Sequence, residues 1–221
     1  MAVGSPGPLS GGEPLACENI DVNVPNVNIS GTRPYRQTAR AATSAATGER
    51  ILDAAVEAFW AHPEGFVLDD VAREAGVTVQ TVLRRFGSKE GLFRAAAARE
   101  RDRVLDQRGT APVGDVPAAI SVLMDHYEEY GERVLRMLAE EARSPALRDI
   151  TDPGRALHRS WCARVFGPAL SGLHGDRHDR RLAQFVAVCD VYTWKLLRLD
   201  AGLDRRQTET ALIELIDPLM E

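Results

Sequence analysis

The chain has 221 residues, of which 44% are hydrophobic and 27% charged, and its formal net charge is −5 at pH 7. This length is enough for one large domain or two small domains with a hydrophobic core. The acidic balance excludes a uniformly basic nucleic-acid binder, although a protein that recognises DNA needs only a local basic face.

The composition also indicates the cellular compartment of the protein. Cys17, Cys162 and Cys189 make an odd number of cysteines without paired spacing, which favours a reducing environment. The amino terminus lacks the basic cluster and apolar run of a secretory signal, and no apolar stretch is long enough to cross a bilayer. We therefore expect a cytoplasmic protein with no membrane partner.

The first segment, residues 1–45, is rich in Gly, Pro, Ser and Asn and lacks helical periodicity, which predicts a disordered extension. It carries Arg33, Arg36 and Arg40 with no acid between them. Such a segment is either a solvated linker or a basic arm that reaches phosphates or a minor groove.

The next segment, residues 48–66, predicts a helix with one apolar face. Residues 68–86 then read LDDVAREAGVTVQTVLRRF and predict two short helices joined at Gly76. Glycine suits this turn because it adopts backbone conformations that a β-carbon resists, and the small Ala72 lets the helices cross closely. The spacing is typical of a helix-turn-helix, although a tight helical corner without a function would show the same pattern.

The second helix of this pair carries the candidate DNA-reading side chains. We expect Thr78 to cap the helix, and Gln80, Thr81 and Arg84 to point outward. Gln pairs with adenine, Arg with guanine, and Thr with a base edge or a thymine methyl, so these side chains suit a major groove. The candidate DNA-binding residues are Thr78, Gln80, Thr81, Arg84, Arg85 and Lys89.

A further helix follows at GSKEGLFRAAAARE, with Ser88 as the expected N-cap. Gly91 stands where a full capping box has Glu or Gln. Lys89 lies in the first turn, where the helix dipole disfavours a cation, so we interpret it as a phosphate contact.

Three segments within Arg50–Phe93, RILDAAVEAF, VAREAGVTVQTV and FGSKEGLF, resemble the TetR family of transcriptional regulators. The resemblance implies an all-α homodimer with an N-terminal DNA-binding domain and a C-terminal ligand-sensing and dimerisation domain. It also implies binding to an operator in double-stranded DNA, and repression that a small-molecule effector relieves. We accordingly predict domains at residues 46–93 and 94–221.

Two positions depart from the family pattern. Val67 stands where members usually carry Thr, and Leu83 where they usually carry Tyr. Both usual residues tend to contact phosphates, so two hydroxyl donors are missing. Phosphate binding is therefore expected to depend more on Arg84, Arg85 and Lys89.

The rest of the chain predicts helices with short breaks, including one near Gly131. The last two helices of each subunit are expected to form a four-helix bundle in a homodimer, which would read half-sites about 34–36 Å apart or a multiple of that. Alternatively, they bury each other within one subunit. The predicted helices are Val116–Tyr130, Val134–Ala142, Arg155–Phe166, Arg181–Leu199 and Gln207–Asp217.

A sensing domain needs a cavity, and these helices offer aromatic, aliphatic and thiol side chains to line one. We expect an apolar or aromatic ligand oriented by His126 or Tyr192, with ordinary core packing as the alternative for each residue. The candidate lining residues are Leu123, His126, Tyr127, Trp161, Cys162, Phe185, Cys189 and Tyr192.

Catalysis and metal binding find little support in the sequence. It contains no nucleophile elbow, no phosphate-binding glycine loop and no HExxH motif. His174 and His178 lie four residues apart, but Gly and Asp flank them and no third ligand is nearby. We expect no enzyme activity, no cofactor and no metal. The alternative to a regulator is a helical ligand-binding or protein-interaction module with weak or lost DNA binding.

Overall fold

The computed structural model of the chain describes residues 33–62, 65–143 and 145–221, with side chains from residue 41 onward except at 145 and 146. All regular structure in these ranges is helical, which confirms the all-α prediction. The contacts below lie within one compact unit, Ala42–Glu221. The helices are α1 (Arg33–Ala61), α2 (Leu68–Glu74), α3 (Val79–Phe86), α4 (Lys89–Gly109), α5 (Val116–Glu140), α6 (Pro145–Val165), α7 (Gly167–Leu170), α8 (Asp176–Val188), α9 (Val191–Trp194), continued by a π-helical segment (Lys195–Asp200), and α10 (Arg205–Ile216).

The first four helices enclose a small apolar core. α2 and α3 meet at a turn in which Gly76 has a φ of 65°, a conformation that favours glycine. Ala72 and Val82 are buried in this core, together with Ile51 of α1 and Leu92 of α4. The helix-turn-helix spacing of the sequence thus yields two helices that α1 and α4 cover.

α4 connects this core to a second one. Ala96 in its first half belongs to the first core, and Arg108 in its last turn is buried beside α6. Midway along the helix, Arg99 forms ion pairs with Glu49 and Asp53 of α1 at 3.2 and 2.9 Å. The 21 residues of α4 span about 30 Å, so this helix reaches from the first core to the second.

The second core is built from α5, α6, α8, α9 and α10. Its centre is aromatic: Phe166 stacks on Phe185 with ring centroids 4.3 Å apart, and Trp161 meets Phe166 edge-on at 6.1 Å. The helices within residues 181–199 are apolar over a wide arc because more than one neighbouring helix covers them.

The predicted break near Gly131 is wrong. α5 continues through this position to Glu140, and Gly131 is buried. A β-carbon there would lie 2.6 Å from the Trp194 ring of α9. The glycine therefore makes room for an aromatic ring instead of forming a turn.

Two other predicted boundaries also differ from the structure. α6 begins at Pro145 and runs through Pro153, which removes one backbone hydrogen bond without ending the helix. The single helix predicted for residues 181–199 is interrupted after Val188. Asp190 starts α9 by accepting a hydrogen bond from the Tyr192 N–H at 2.9 Å, a capping signal that an apolar periodicity does not reveal.

At the amino terminus, α1 begins at Arg33, so the predicted disordered extension does not reach residue 45. Residues 1–32 lie outside the described residues, and so do the side chains of Arg33, Arg36 and Arg40 that form the predicted basic arm.

Candidate nucleic-acid interface

α3 is fixed at both ends by the turns that flank it. Thr78 Oγ1 accepts a hydrogen bond from the Thr81 N–H at 3.2 Å, and this is the predicted N-cap. Gly87 ends the helix with a φ of 81°, and its N–H donates to the Leu83 carbonyl at 2.8 Å. With Val82 buried beneath it, α3 has a defined outward face.

Gln80 and Arg84 lie on that outward face. They are one helical turn apart and both are exposed. Within the part of the chain that the structure describes, neither side chain has a hydrogen bond or an ion pair. Thr81, which is also predicted to point outward, is half-buried, and its hydroxyl lies 3.0 Å from Thr78 Oγ1. The amide and guanidinium donors of the outward pair therefore remain available to an external partner.

Arg85 and Lys89 have intramolecular contacts instead. The Arg85 guanidinium lies against α1, where Nη1 donates to Ser44 Oγ at 3.0 Å and covers Gly48. The Lys89 ammonium lies 5.0 Å from the centre of the Phe66 ring, a cation–π distance. Sequence reasoning missed Ser44 and Gly48 because they precede Arg85 by about forty residues and only the fold brings them near it.

The start of α4 explains a departure from the capping-box pattern. Ser88 Oγ accepts from the Gly91 N–H at 3.0 Å, as the sequence predicts for an N-cap. A β-carbon at Gly91 would overlap the carbonyl oxygen of Phe86. The turn between α3 and α4 therefore requires glycine where a capping box has Glu or Gln.

The two substitutions in the family pattern leave apolar side chains on the surface. Val67 is 54% exposed and provides no side-chain cap for α2, and Leu83 is 38% exposed. Nearby, Asp70 pairs with Arg73 of the same helix. This surface therefore offers fewer hydroxyl donors than the family pattern implies.

Most of the predicted ligand-lining residues are brought together in or beside the second core. Tyr192 is the exception, because it is 52% exposed and does not lie in this core. An open cleft of about 300 Å³ on the surface is lined mainly by charged side chains such as Glu128 and Arg133. The buried predicted residues are Leu123, His126, Tyr127, Trp161, Cys162, Phe185 and Cys189.

Sequence reasoning did not find two polar residues among them, Arg108 and His158, which are both buried. Arg108 is one of several arginines in α4, and no periodicity distinguished it from the exposed ones. Its Nη2 lies 3.0 Å from His158 Nδ1 of α6, a contact across 50 residues of sequence.

The part of the chain that forms the first core is similar to known proteins. Residues 51–96, which span the first core, match the family model for bacterial regulatory proteins of the tetR family. Over these residues the chain is similar to the TetR family. The match covers α2 and α3, the two helices of the helix-turn-helix, together with parts of α1 and α4.

The chain is 27% identical over 127 residues to the HTH-type transcriptional regulator AlkX of Mycobacterium tuberculosis (strain ATCC 25618 / H37Rv). The alignment covers 56% of the chain and 55% of AlkX, so it spans about half the length of this relative.

Two solved structures share the fold. A transcriptional regulator from Rhodococcus sp. Rha1 has a TM-score of 0.57 at 22% identity, covering 78% of this chain and 95% of that one. A TetR-family regulator from Rhodococcus sp. has a TM-score of 0.53 at 19% identity, covering 79% and 99%.

The described residues contain neither a membrane-spanning helix nor a metal-binding cluster. None of their helices is long and apolar enough to cross a membrane. They also contain no group of three His, Cys, Asp or Glu side chains arranged to hold a metal ion, and His178 contacts the Asp179 carboxylate at 3.2 Å.

Proposed function

We propose that this protein is a homodimeric repressor of the TetR family that reads an operator with α3 and is released from it by a small apolar or aromatic molecule. The observation that carries the proposal is the exposed pair of Gln80 and Arg84 on a helix whose two ends are fixed. A rigid helix with outward bidentate donors suits base readout in a major groove.

The other proposed contacts position the helix on the DNA backbone. Thr78 and Thr81 present hydroxyl groups at the start of α3, and Lys89 lies at the start of α4, where its charge is held beside Phe66. Arg85 would act in two ways, since its contact with Ser44 orients the guanidinium while its side chain stays exposed.

An apolar surface supports the proposed homodimer. Tyr192, Leu196 and Leu199 recur at about one-turn intervals along α9 and its π-helical continuation, and all are exposed. Leu215 of α10 is exposed as well. Exposed large apolar side chains that recur on one element are typical of a protein interface, and a second copy would cover them symmetrically.

The proposed domains are residues 46–93 and 94–221, and the two apolar cores support this division. The boundary would lie within α4, which is shared between them. A molecule bound among the C-terminal helices would move α4 and so change the spacing of the two recognition helices.

The test of DNA reading starts with selection of binding sites from random DNA by the purified full chain. We expect an inverted repeat. Arg84→Ala should weaken binding to the selected operator by about 1–3 kcal/mol and relax preference at one base position. The control is Arg206→Ala, an exposed arginine of α10, which should bind like the wild type. Equal, weak binding to every oligonucleotide at low salt would instead favour the interaction-module alternative.

The dimer is tested with Leu196→Glu, which places a charge in the apolar surface. We expect a monomer in sedimentation and a large loss of operator affinity, because a monomer reads one half-site. Val113→Glu, at an exposed valine in the connection between α4 and α5, is the matched control and should stay dimeric. A Leu196→Glu protein that remains dimeric would exclude this surface as the interface.

A further inference from the structure

Arg108 is a buried cation without a carboxylate partner in the described part of the chain. It lies in the last turn of α4 with 4% of its side chain exposed. Among the residues that the structure describes, no carboxylate is within 4.0 Å of its guanidinium, and its Nε has no hydrogen-bond partner. Burial lowers the pKa of Arg108, but an arginine side chain keeps its proton in proteins, so the positive charge persists inside the domain.

The contacts of Arg108 orient the guanidinium without neutralising it. Its Nη2 is 3.0 Å from His158 Nδ1, and its central carbon is 4.5 Å from the centre of the Trp161 ring. Because a guanidinium only donates, His158 Nδ1 must accept. The proton of this imidazole is then on Nε2, which donates to the Val186 carbonyl at 3.1 Å. His158 is therefore a neutral partner.

One polar group near Arg108 can carry negative charge. The Cys162 thiol lies 3.9 Å from His158 Nε2, and its hydrogen bonds with Cys189 and His158, together with the charge of Arg108, lower its pKa to about 6. His126 is buried with no partner for Nδ1, and burial together with the charge of Arg108 lowers its pKa to about 3, so it is uncharged at neutral pH. The Tyr127 hydroxyl donates to the Cys189 carbonyl at 2.7 Å. The site thus holds one permanent cation that has no carboxylate partner among the described residues.

An aromatic region begins directly at the guanidinium. Trp161, which lies under Arg108, meets Phe166 edge-on, and Phe166 stacks on Phe185. All three rings are buried in the second core. A molecule complementary to this region would have one acidic group and an apolar body.

We propose that Arg108 anchors the carboxylate of the effector, which is an aliphatic or aryl monocarboxylic acid whose apolar body enters among the rings of the second core. This rests on the proposed function, because it names the chemical class of the molecule that relieves repression. A carboxylate would form charge-assisted, bidentate hydrogen bonds with Arg108 and replace its contact with His158. Since α6 also holds the end of α4 through Trp161 Nε1, which donates to the Arg108 carbonyl at 3.0 Å, the exchange would alter the α4–α6 joint.

The test compares acids with their uncharged amides on the full chain without DNA. Octanoate and octanamide form one pair, and 3-phenylpropanoate and its amide form the other. Calorimetry should show that at least one acid binds about tenfold or more tightly than its amide. Arg108→Gln should abolish that preference, and the control Arg206→Gln should retain it. Because Arg108→Gln removes an unpaired buried charge, we also expect it not to lower the melting temperature in the absence of ligand.

Several outcomes would overturn the anchor: no acid of the set binding at about 1 mM, equal binding of acid and amide, or an acid preference that survives in Arg108→Gln. If Arg108→Gln does not fold, the anchor is tested with Arg108→Lys. This variant keeps the charge but not the bidentate geometry, so it should show a weaker preference for acids over amides. Operator release is measured separately. Acids that bind through Arg108 but leave the operator complex intact would refute effector release alone. If uncharged molecules release Arg108→Gln from the operator as well as they release the wild type, the role of Arg108 as a carboxylate anchor would be refuted, but effector release would not.

Discussion

Replacement of Gly131 by alanine tests whether this glycine makes room for Trp194. The new β-carbon would lie 2.6 and 2.8 Å from two carbons of the indole ring, where carbon atoms normally approach to about 3.5–4.0 Å. The ring is buried and rigid, so it must move by about 1 Å. Such overpacking costs about 1–3 kcal/mol, against a gain of up to about 1 kcal/mol from the better helix propensity of alanine.

We therefore expect Gly131→Ala to lower the free energy of unfolding by up to about 2 kcal/mol in urea denaturation, and to perturb the surface that α9 presents. Gly154→Ala is the matched control, because Gly154 is inside α6 with open space around it and alanine should stabilise by about 0.5–1 kcal/mol. Trp194→Phe in the Gly131→Ala background should recover part of the loss, since the smaller ring relieves the contact. If Gly131→Ala were as stabilising as Gly154→Ala, the close approach of α5 and α9 would be refuted.

Three other predictions follow from single contacts. Gly91→Ala should destabilise the turn between α3 and α4, because the new β-carbon would overlap the Phe86 carbonyl. It should also weaken operator binding at temperatures where the protein stays folded. Wild-type operator affinity at those temperatures would contradict this. Burial lowers the pKa of His126 from 6.5 in the unfolded chain to about 3 in the folded protein. Between these pH values the unfolded chain binds one more proton than the folded protein. The free energy of unfolding should therefore fall by about 1.4 kcal/mol per pH unit as the pH drops below 6.5. In urea titrations at several pH values His126→Gln should flatten this slope, and parallel curves for the two proteins would count against a neutral buried imidazole. Lys89→Ala should weaken binding to all DNA sequences alike and reduce the salt slope by about one, and a change at one base position only would refute a phosphate contact.

The helix-turn-helix was predictable from the sequence because it depends on interactions between residues that are close along the chain. The cap at Thr78, the turn at Gly76 and the apolar spacing of α2 and α3 depend on neighbours within four residues, so periodicity and capping rules reach them. The same rules failed at Gly131 and Pro153, where a residue that usually breaks a helix was accommodated. In the first case the reason is the Trp194 ring, which is 63 residues away in the chain.

The candidate sites divide in the same way. The outward position of Gln80 and Arg84 follows from the helical repeat, and the burial of most predicted lining residues follows from their apolar character. Neither rule indicated that Arg85 turns toward Ser44, that Tyr192 stays exposed, or that Arg108 is the arginine of α4 that is buried. Those outcomes depend on which helices pack together, and only the tertiary structure decides this. A residue's own chemistry determines what contacts it can make, whereas its partners come from distant parts of the chain.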